Sequence, residues 1–497
     1  MTDETGSARA GAGLTPGGAA AAATASAMAG AGAGAATTAT SPAASAAAST
    51  ATATGLARTL NTWDLVLLGI GTVIGSGIFL VPATVLQQAD GKLGLAMAVW
   101  VVAGVLSVLG ALTYAEMGAM KPEAGGLYVY IRDAFGPFVA FLYGWGLFFV
   151  ICSGSVATLA VAFTNYLKEF VDLGDLGSRL AAAAMIAVIA IINVRGTRTS
   201  ASVQNWTTAA KVLAILALSV ALLATGHGLQ AASGQWWPET LDGRLLSQIG
   251  IAMVGVLWAY EGWQYVTFSA GETTSPQRTF PRALFLGTAA IVGIYLLANL
   301  GYVAALTPGG AARATRIAAE AGNSALGPWV GKGIALAILV SMFSAANGLT
   351  LTGPRVYFAM ARHGLFFRQL AVIHPRFRTP AFAIITSSIW AALLAVTGTF
   401  ETLLTYVVFA GWIFYALGGA AIFYYRRAHP DAPRPFRTPG YPLTPILFVA
   451  SAAAIVLNTL VTQPGRALVG LAILLAGTPA YLVWRRTAAA SALLVAK

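Results

Sequence analysis

The chain has 497 residues, 57% of them hydrophobic and only 9% charged, with a mean hydropathy of +0.74 and a formal net charge of +12. A soluble domain carries roughly 25% charged residues, so this composition excludes an ordinary globular enzyme and makes lipid the solvent for most side chains. One cysteine, Cys152, excludes a disulfide framework, and four scattered histidines form no ligand cluster, so neither a metal nor a cofactor is expected. The positive balance reads as basic loops facing anionic lipid, not as a nucleic-acid surface.

In chain order, residues 1–57 are Ala, Gly, Ser and Thr with almost no large apolar side chains. Such a segment cannot bury enough surface to offset chain entropy, so a disordered cytoplasmic tail is expected. It lacks the basic start and apolar core of a secretory signal. A transmembrane domain is expected over 58–486, with twelve apolar spans near 62–86, 94–119, 137–167, 180–194, 200–225, 246–270, 282–306, 328–360, 380–397, 401–425, 442–462 and 466–485. Residues 487–497 read as a short cytoplasmic tail. With the N-terminus inside, 20 of the 29 basic residues fall on the cytoplasmic side and 8 outside. The expected class is an all-α, multi-pass protein of the plasma membrane with both termini in the cytoplasm.

The first span is interrupted at Gly75-Ser76-Gly77 and the sixth at Trp258-Ala259-Tyr260-Glu261-Gly262-Trp263. A helix broken at bilayer depth strands backbone N–H and C=O groups, so a break survives where it lines a cavity or binds something. Spans 1–5 (about 62–225) and 6–10 (about 246–425) make two units with an odd number of spans each. They must insert in opposite orientations, and each opens on its broken helix. That is a 5+5 inverted repeat with a midplane site between the breaks, followed by spans 11 and 12 over 442–485.

Gly75, Ser76 and Gly77 let the backbone leave helical dihedrals and approach a ligand. The half-helix starting near Gly77 points free N–H groups and a positive dipole end at the cavity, which suits an α-carboxylate. Freed carbonyls at Thr72 and Val73, and at Trp258, Ala259 and Glu261, are candidate acceptors for an α-ammonium. The competing reading is close packing of small residues between helices. Glu261 lies near the bilayer centre, where an acid is costly. It accepts a cationic side chain, or titrates and couples transport to protons, or holds the break open. Lys211 lies 13 residues past Arg198, about 20 Å along a helix, too far to snorkel easily to the surface. Ser341, Ser344 and Asn347 form a polar stripe on the eighth span that suits either a cavity wall or helix–helix glue, as do Tyr295 and Asn299 on the seventh.

Gly71-Thr72-Val73-Ile74-Gly75-Ser76-Gly77-Ile78-Phe79 resembles the first-helix signature of the amino acid–polyamine–organocation superfamily. Tyr114-Ala115-Glu116-Met117-Gly118, Pro122-Glu123-Ala124-Gly125-Gly126-Leu127-Tyr128, Ala134-Phe135-Gly136, Gly353-Pro354-Arg355-Val356-Tyr357-Phe358-Ala359-Met360-Ala361-Arg362 and Pro435-Phe436-Arg437-Thr438-Pro439-Gly440-Tyr441-Pro442 follow its pattern in the same order, over about residues 58–486. The sixth span is most similar to bacterial and animal L-type exchangers. Glu261 stands where many members carry Asp, and His363 also replaces an Asp, a loop change of little consequence for substrate.

The resemblance implies a LeuT-like fold and secondary active transport of amino acids by alternating access, as proton symporter or exchanger. It gives Trp258 the role of an aromatic gate. Lys211 would occupy the place where sodium-coupled relatives bind a cation, which argues for sodium independence, and would tether the break in span 1. A disulfide-linked heavy chain, as among animal relatives, would need a cysteine in the external loop 168–179, which has none. A polyamine carrier and a non-transporting amino acid sensor are the alternatives; an enzyme is not expected, because no catalytic set converges within the spans.

Overall fold

A computed structural model describes residues 56–232, 236–398 and 400–485. Apart from Leu56 and Ala57, the expected tails at 1–57 and 487–497 lie outside the described residues. Among the described residues the regular elements are helices, with one isolated bridge between Leu60 and Thr273.

Asn61 caps α1 (Thr62–Val73), and Asp64 reaches back to the Asn61 N–H in a reciprocal capping box. Three non-helical residues follow, and α2 (Gly77–Gln88) leaves at an angle of 49°. Next come α3 (Leu93–Met120), α4 (Leu127–Gly146) and α5 (Cys152–Leu167), the last two joined through a π-helical turn at Leu147–Ile151. Then α6 (Gly174–Val194) turns sharply at Gly196 into α7 (Thr197–Leu223), and a short α8 (His227–Ala231) precedes α9 (Gly243–Ala259). The chain continues from α9 as a 3₁₀ helix, Trp263–Glu272. The remainder comprises α10 (Pro276–Arg313), α11 (Ile317–Leu326), α12 (Val330–Arg362), α13 (Ala381–Thr397), α14 (Phe400–Ala428), α15 (Leu443–Thr462) and α16 (Pro464–Leu475), whose span runs on to Arg485.

Ten of these spans are long and apolar enough to cross a bilayer, and the bent pair α1–α2 makes an eleventh; α13 is apolar but only 17 residues long. Trp206, Leu213 and Val220 on α7, Ile389 on α13 and Val461 on α15 stand exposed on the outside of the bundle. In water such a surface would aggregate, whereas lipid tails are its natural solvent. The helical run of the third span starts at Leu127, before the expected 137. Gly136 (φ 87°, ψ 171°) leaves helical geometry, so the expected boundary at 137 falls on the kink where two helical segments meet. The expected end of the seventh span at 306 likewise falls on a break, at Thr307 (φ 65°) and Pro308, beyond which helix resumes as far as Arg313.

The bundle is laced together at its basic end. Fully buried Arg355 on α12 donates to both oxygens of Glu272 (2.7 and 2.9 Å) and to Thr197 Oγ1 at the start of α7. Asp64 on α1 accepts from Arg198 (2.7 Å) and Asn205 (2.6 Å) on α7. Glu116, buried on α3, takes a two-pronged contact from Arg426 and the N–H of Thr438. The chain entering α1 lies along the exit of the 3₁₀ helix, with Thr59 and Leu60 N–H groups on Glu272 O and Thr274 N–H on Leu60 O. His363, at the end of α12, stacks on Tyr128 and receives Arg132 Nη1 at 2.7 Å. Burial, and then the charge of Arg132, push its imidazole down to about 4.

Candidate functional site

The two interruptions meet. A Cβ built on Gly77 would stand 2.7 Å from Ala259 Cβ, and one on Gly262 (φ 136°) would stand 3.0 Å from Val73 N. Only glycine permits either approach. A cavity of about 50 Å³ lies between the breaks, and its wall contains Thr72, Val73, Gly75, Ser76, Gly77, Trp258, Ala259 and Glu261. All eight cavity residues expected from the sequence are therefore brought together. Gly262, Tyr265, Leu349, Val407 and, from α5, Ser155, Thr158 and Leu159 complete the lining.

Three side-chain oxygens on this wall are buried without a hydrogen-bond partner: Ser76 Oγ, Glu261 Oε2 and Tyr265 Oη. Folded proteins pair nearly all buried polar groups, so three orphans on one small cavity mark the place a polar ligand or water fills. Glu261 Oε1 is already engaged, accepting the Tyr415 hydroxyl of α14 at 2.6 Å. The carbonyls are more occupied than the sequence suggests. Val73 O accepts from Gly75 N–H, the Tyr295 hydroxyl lies 3.0 Å from Ala259 O and 3.3 Å from Val73 O, and Trp258 O accepts Glu261 N–H. Tyr295 thus pins the two breaks to each other.

Lys211 reaches the break from α7. Its amine donates to Gly71 O (2.6 Å) and Ile74 O (2.5 Å), with Ser341 O at 3.4 Å. These are carbonyls that the end of α1 cannot satisfy within the helix. Ser341 supports the same turn, its hydroxyl 3.0 Å from both Ile74 O and Gly75 O. Ser344 contacts Gln204 and Thr208, and Asn347 bonds to Gln204, Asn193 and Ser200. None of the three lines the cavity: the polar stripe of α12 is glue. Asn299 donates to Tyr295 O, one turn back on α10. Trp258 has one further property: it also borders a larger cavity of about 460 Å³ between α2, α9 and α15, so its indole stands between the two spaces.

Residues 60–480 match the sequence profile of the family described as amino acid permease. The chain belongs to that family. The permease is 33% identical over 425 residues to the large neutral amino acids transporter small subunit 2 of Homo sapiens, covering 83% of this chain and 77% of the relative. It is 31% identical over 426 residues to the Homo sapiens cystine/glutamate transporter (84% and 83% covered) and 30% identical over 433 residues to the serine/threonine exchanger SteT of Bacillus subtilis (86% and 97% covered). Family and relatives are membrane transporters, not enzymes.

Sequence reasoning takes Tyr265 for a packing or anchoring residue and misses Tyr415, Ser155 and Thr158. The last two sit three apart on α5, a helical spacing that puts both on one face; single tyrosines in apolar spans carry no such signal.

Proposed function

We propose that the permease moves amino acids across the plasma membrane by alternating access through the cavity between the two breaks. The observation that carries this reading is the convergence of both interruptions on one cavity bearing three unpaired polar oxygens. The α-carboxylate would rest on the N–H groups of Gly75, Ser76 and Gly77 at the start of α2. The α-ammonium would meet carbonyl oxygen at Thr72, Val73, Trp258 or Ala259, and Glu261 would face the side chain. Trp258 would swing to admit substrate.

Transport is read as sodium-independent, because Lys211 fills the pocket behind the break with its own amine. Lys211 and Glu261 are the proposed coupling residues, for proton symport or for exchange; the likeness to the serine/threonine exchanger SteT favours exchange. The reading includes twelve spans, with α13 as a short ninth-span equivalent, in a LeuT-like 5+5 inverted repeat with cytoplasmic termini. Cys152 is buried inside the bundle, which leaves no thiol for a disulfide-linked heavy chain.

The test is uptake of a radiolabelled amino acid panel into proteoliposomes, empty or preloaded, with and without an inward proton gradient. Gradient-driven accumulation in empty vesicles identifies symport. Uptake only into preloaded vesicles identifies exchange. Binding of amino acids without uptake in any condition makes the chain a sensor and rejects transport.

A further inference from the structure

We infer that the cavity selects short amino acids whose side chain carries a hydroxyl, with Glu261 Oε2 as the acceptor, Tyr265 as the returning donor and Tyr415 as a positioning residue. This rests on the reading of the cavity as the substrate site and adds what that reading leaves open, the substrate class.

Size is the first argument. In the measure used for the 50 Å³ cavity, one water needs roughly 10–15 Å³, so the space holds about four water-sized bodies. An α-carboxylate and an α-ammonium use most of it. The walls that would have to withdraw for a longer side chain are Leu159, Leu349 and Val407, and the Gly77–Ala259 contact is already tight. Leucine, phenylalanine, lysine and arginine do not fit that remainder.

Polarity is the second. Tyr415 holds one carboxylate oxygen of Glu261, so the other is presented to the cavity in a fixed direction. The Tyr265 hydroxyl lies against that of Tyr415 and borders the same space. A carboxylate only accepts, whereas a phenol both donates and accepts. A substrate hydroxyl closes both ends: it donates to Glu261 Oε2 and accepts from Tyr265. A methyl group in its place leaves both protein oxygens buried and unpaired, which sites built for a hydroxyl reject. An acidic side chain would meet Glu261 as a like charge.

Threonine and valine are nearly isosteric and differ in this one group, so their ratio is the readout. Equilibrium binding of serine, threonine, alanine, valine, leucine and lysine to the purified, detergent-solubilised protein is expected to show threonine at least about tenfold tighter than valine. Leucine and lysine should be weakest. Tyr415→Phe and Glu261→Gln should each pull the threonine-to-valine ratio toward one. Because that ratio compares two ligands on one variant, a general loss of affinity cancels from it. A wild-type ratio near one, or leucine or lysine as the best ligand, overturns the inference while leaving the cavity as the site. Absence of binding by every amino acid overturns the proposed function itself.

Discussion

At the basic end, the half-helices bordering the cavity are tied by Arg355 to Glu272, by Arg198 and Asn205 to Asp64, and by main-chain bonds between Thr59–Leu60 and Glu272–Thr274. On the other side the same cavity is bordered by the Trp258 indole, beyond which lies open space of about 460 Å³. The closure at the basic end breaks several directed bonds when it opens; the other turns on the Trp258 ring. The asymmetry makes opening at the basic end the costlier of the two.

The sharpest way to break the comparison is Arg355→Ala. It leaves Glu272 buried without its cation, a loss of about 3–5 kcal/mol for such pairs, and should collapse thermal stability in detergent. A stable variant would show that the basic-end seal contributes little. Next in size is Lys211→Met, which strands Gly71 O and Ile74 O; uptake should fall at least about tenfold with the protein still folded, as read by size-exclusion profile. Trp258→Ala should act on the other closure only. The half-buried ring packs on the core, so thermal stability should fall, by less than the about 3–5 kcal/mol of a fully buried tryptophan. A thiol reagent should then label Ser155→Cys, in a Cys152→Ser background, several times faster than with the tryptophan present. Equal labelling rates would mean the indole is no barrier.

The smallest effect concerns His363. Its imidazole is held near 4 against an ordinary 6.5, so the folded state favours the neutral ring. Its contribution is present above pH 6.5 and lost as pH falls toward 4, because the unfolded chain takes up the proton first. The melting temperature should decline over that window, and His363→Gln should flatten part of the decline. The ring is half-exposed, which keeps the difference small.

The breaks were legible because Gly-Ser-Gly and a lone Glu are conspicuous in apolar runs, and their joint cost in lipid admits few explanations. All eight residues chosen on that ground share one cavity. The depth of Lys211 was legible by counting from Arg198, since helical rise is fixed. Contacts between distant spans were not. Tyr415 lies 154 residues from Glu261, and nothing local to either announces the bond. Ser341, Ser344 and Asn347 show the limit of pattern: a polar stripe has the same spacing whether it faces a cavity or another helix. The start of the third span at 137 was legible because Gly136-Pro137 does interrupt the helix; the helical segment directly before it was not.

The seam between the entering chain and the end of the 3₁₀ helix is written almost wholly in backbone: Thr59 N–H, Leu60 N–H, Glu272 O, Thr274 N–H and Leu60 O. Alanine at any of these positions would leave every one of these main-chain bonds in place, even where it removes a buried side chain such as Leu60 or Glu272. Proline is the one coded residue that cannot donate at that place, so Leu60→Pro would unfasten a closure that no motif spells.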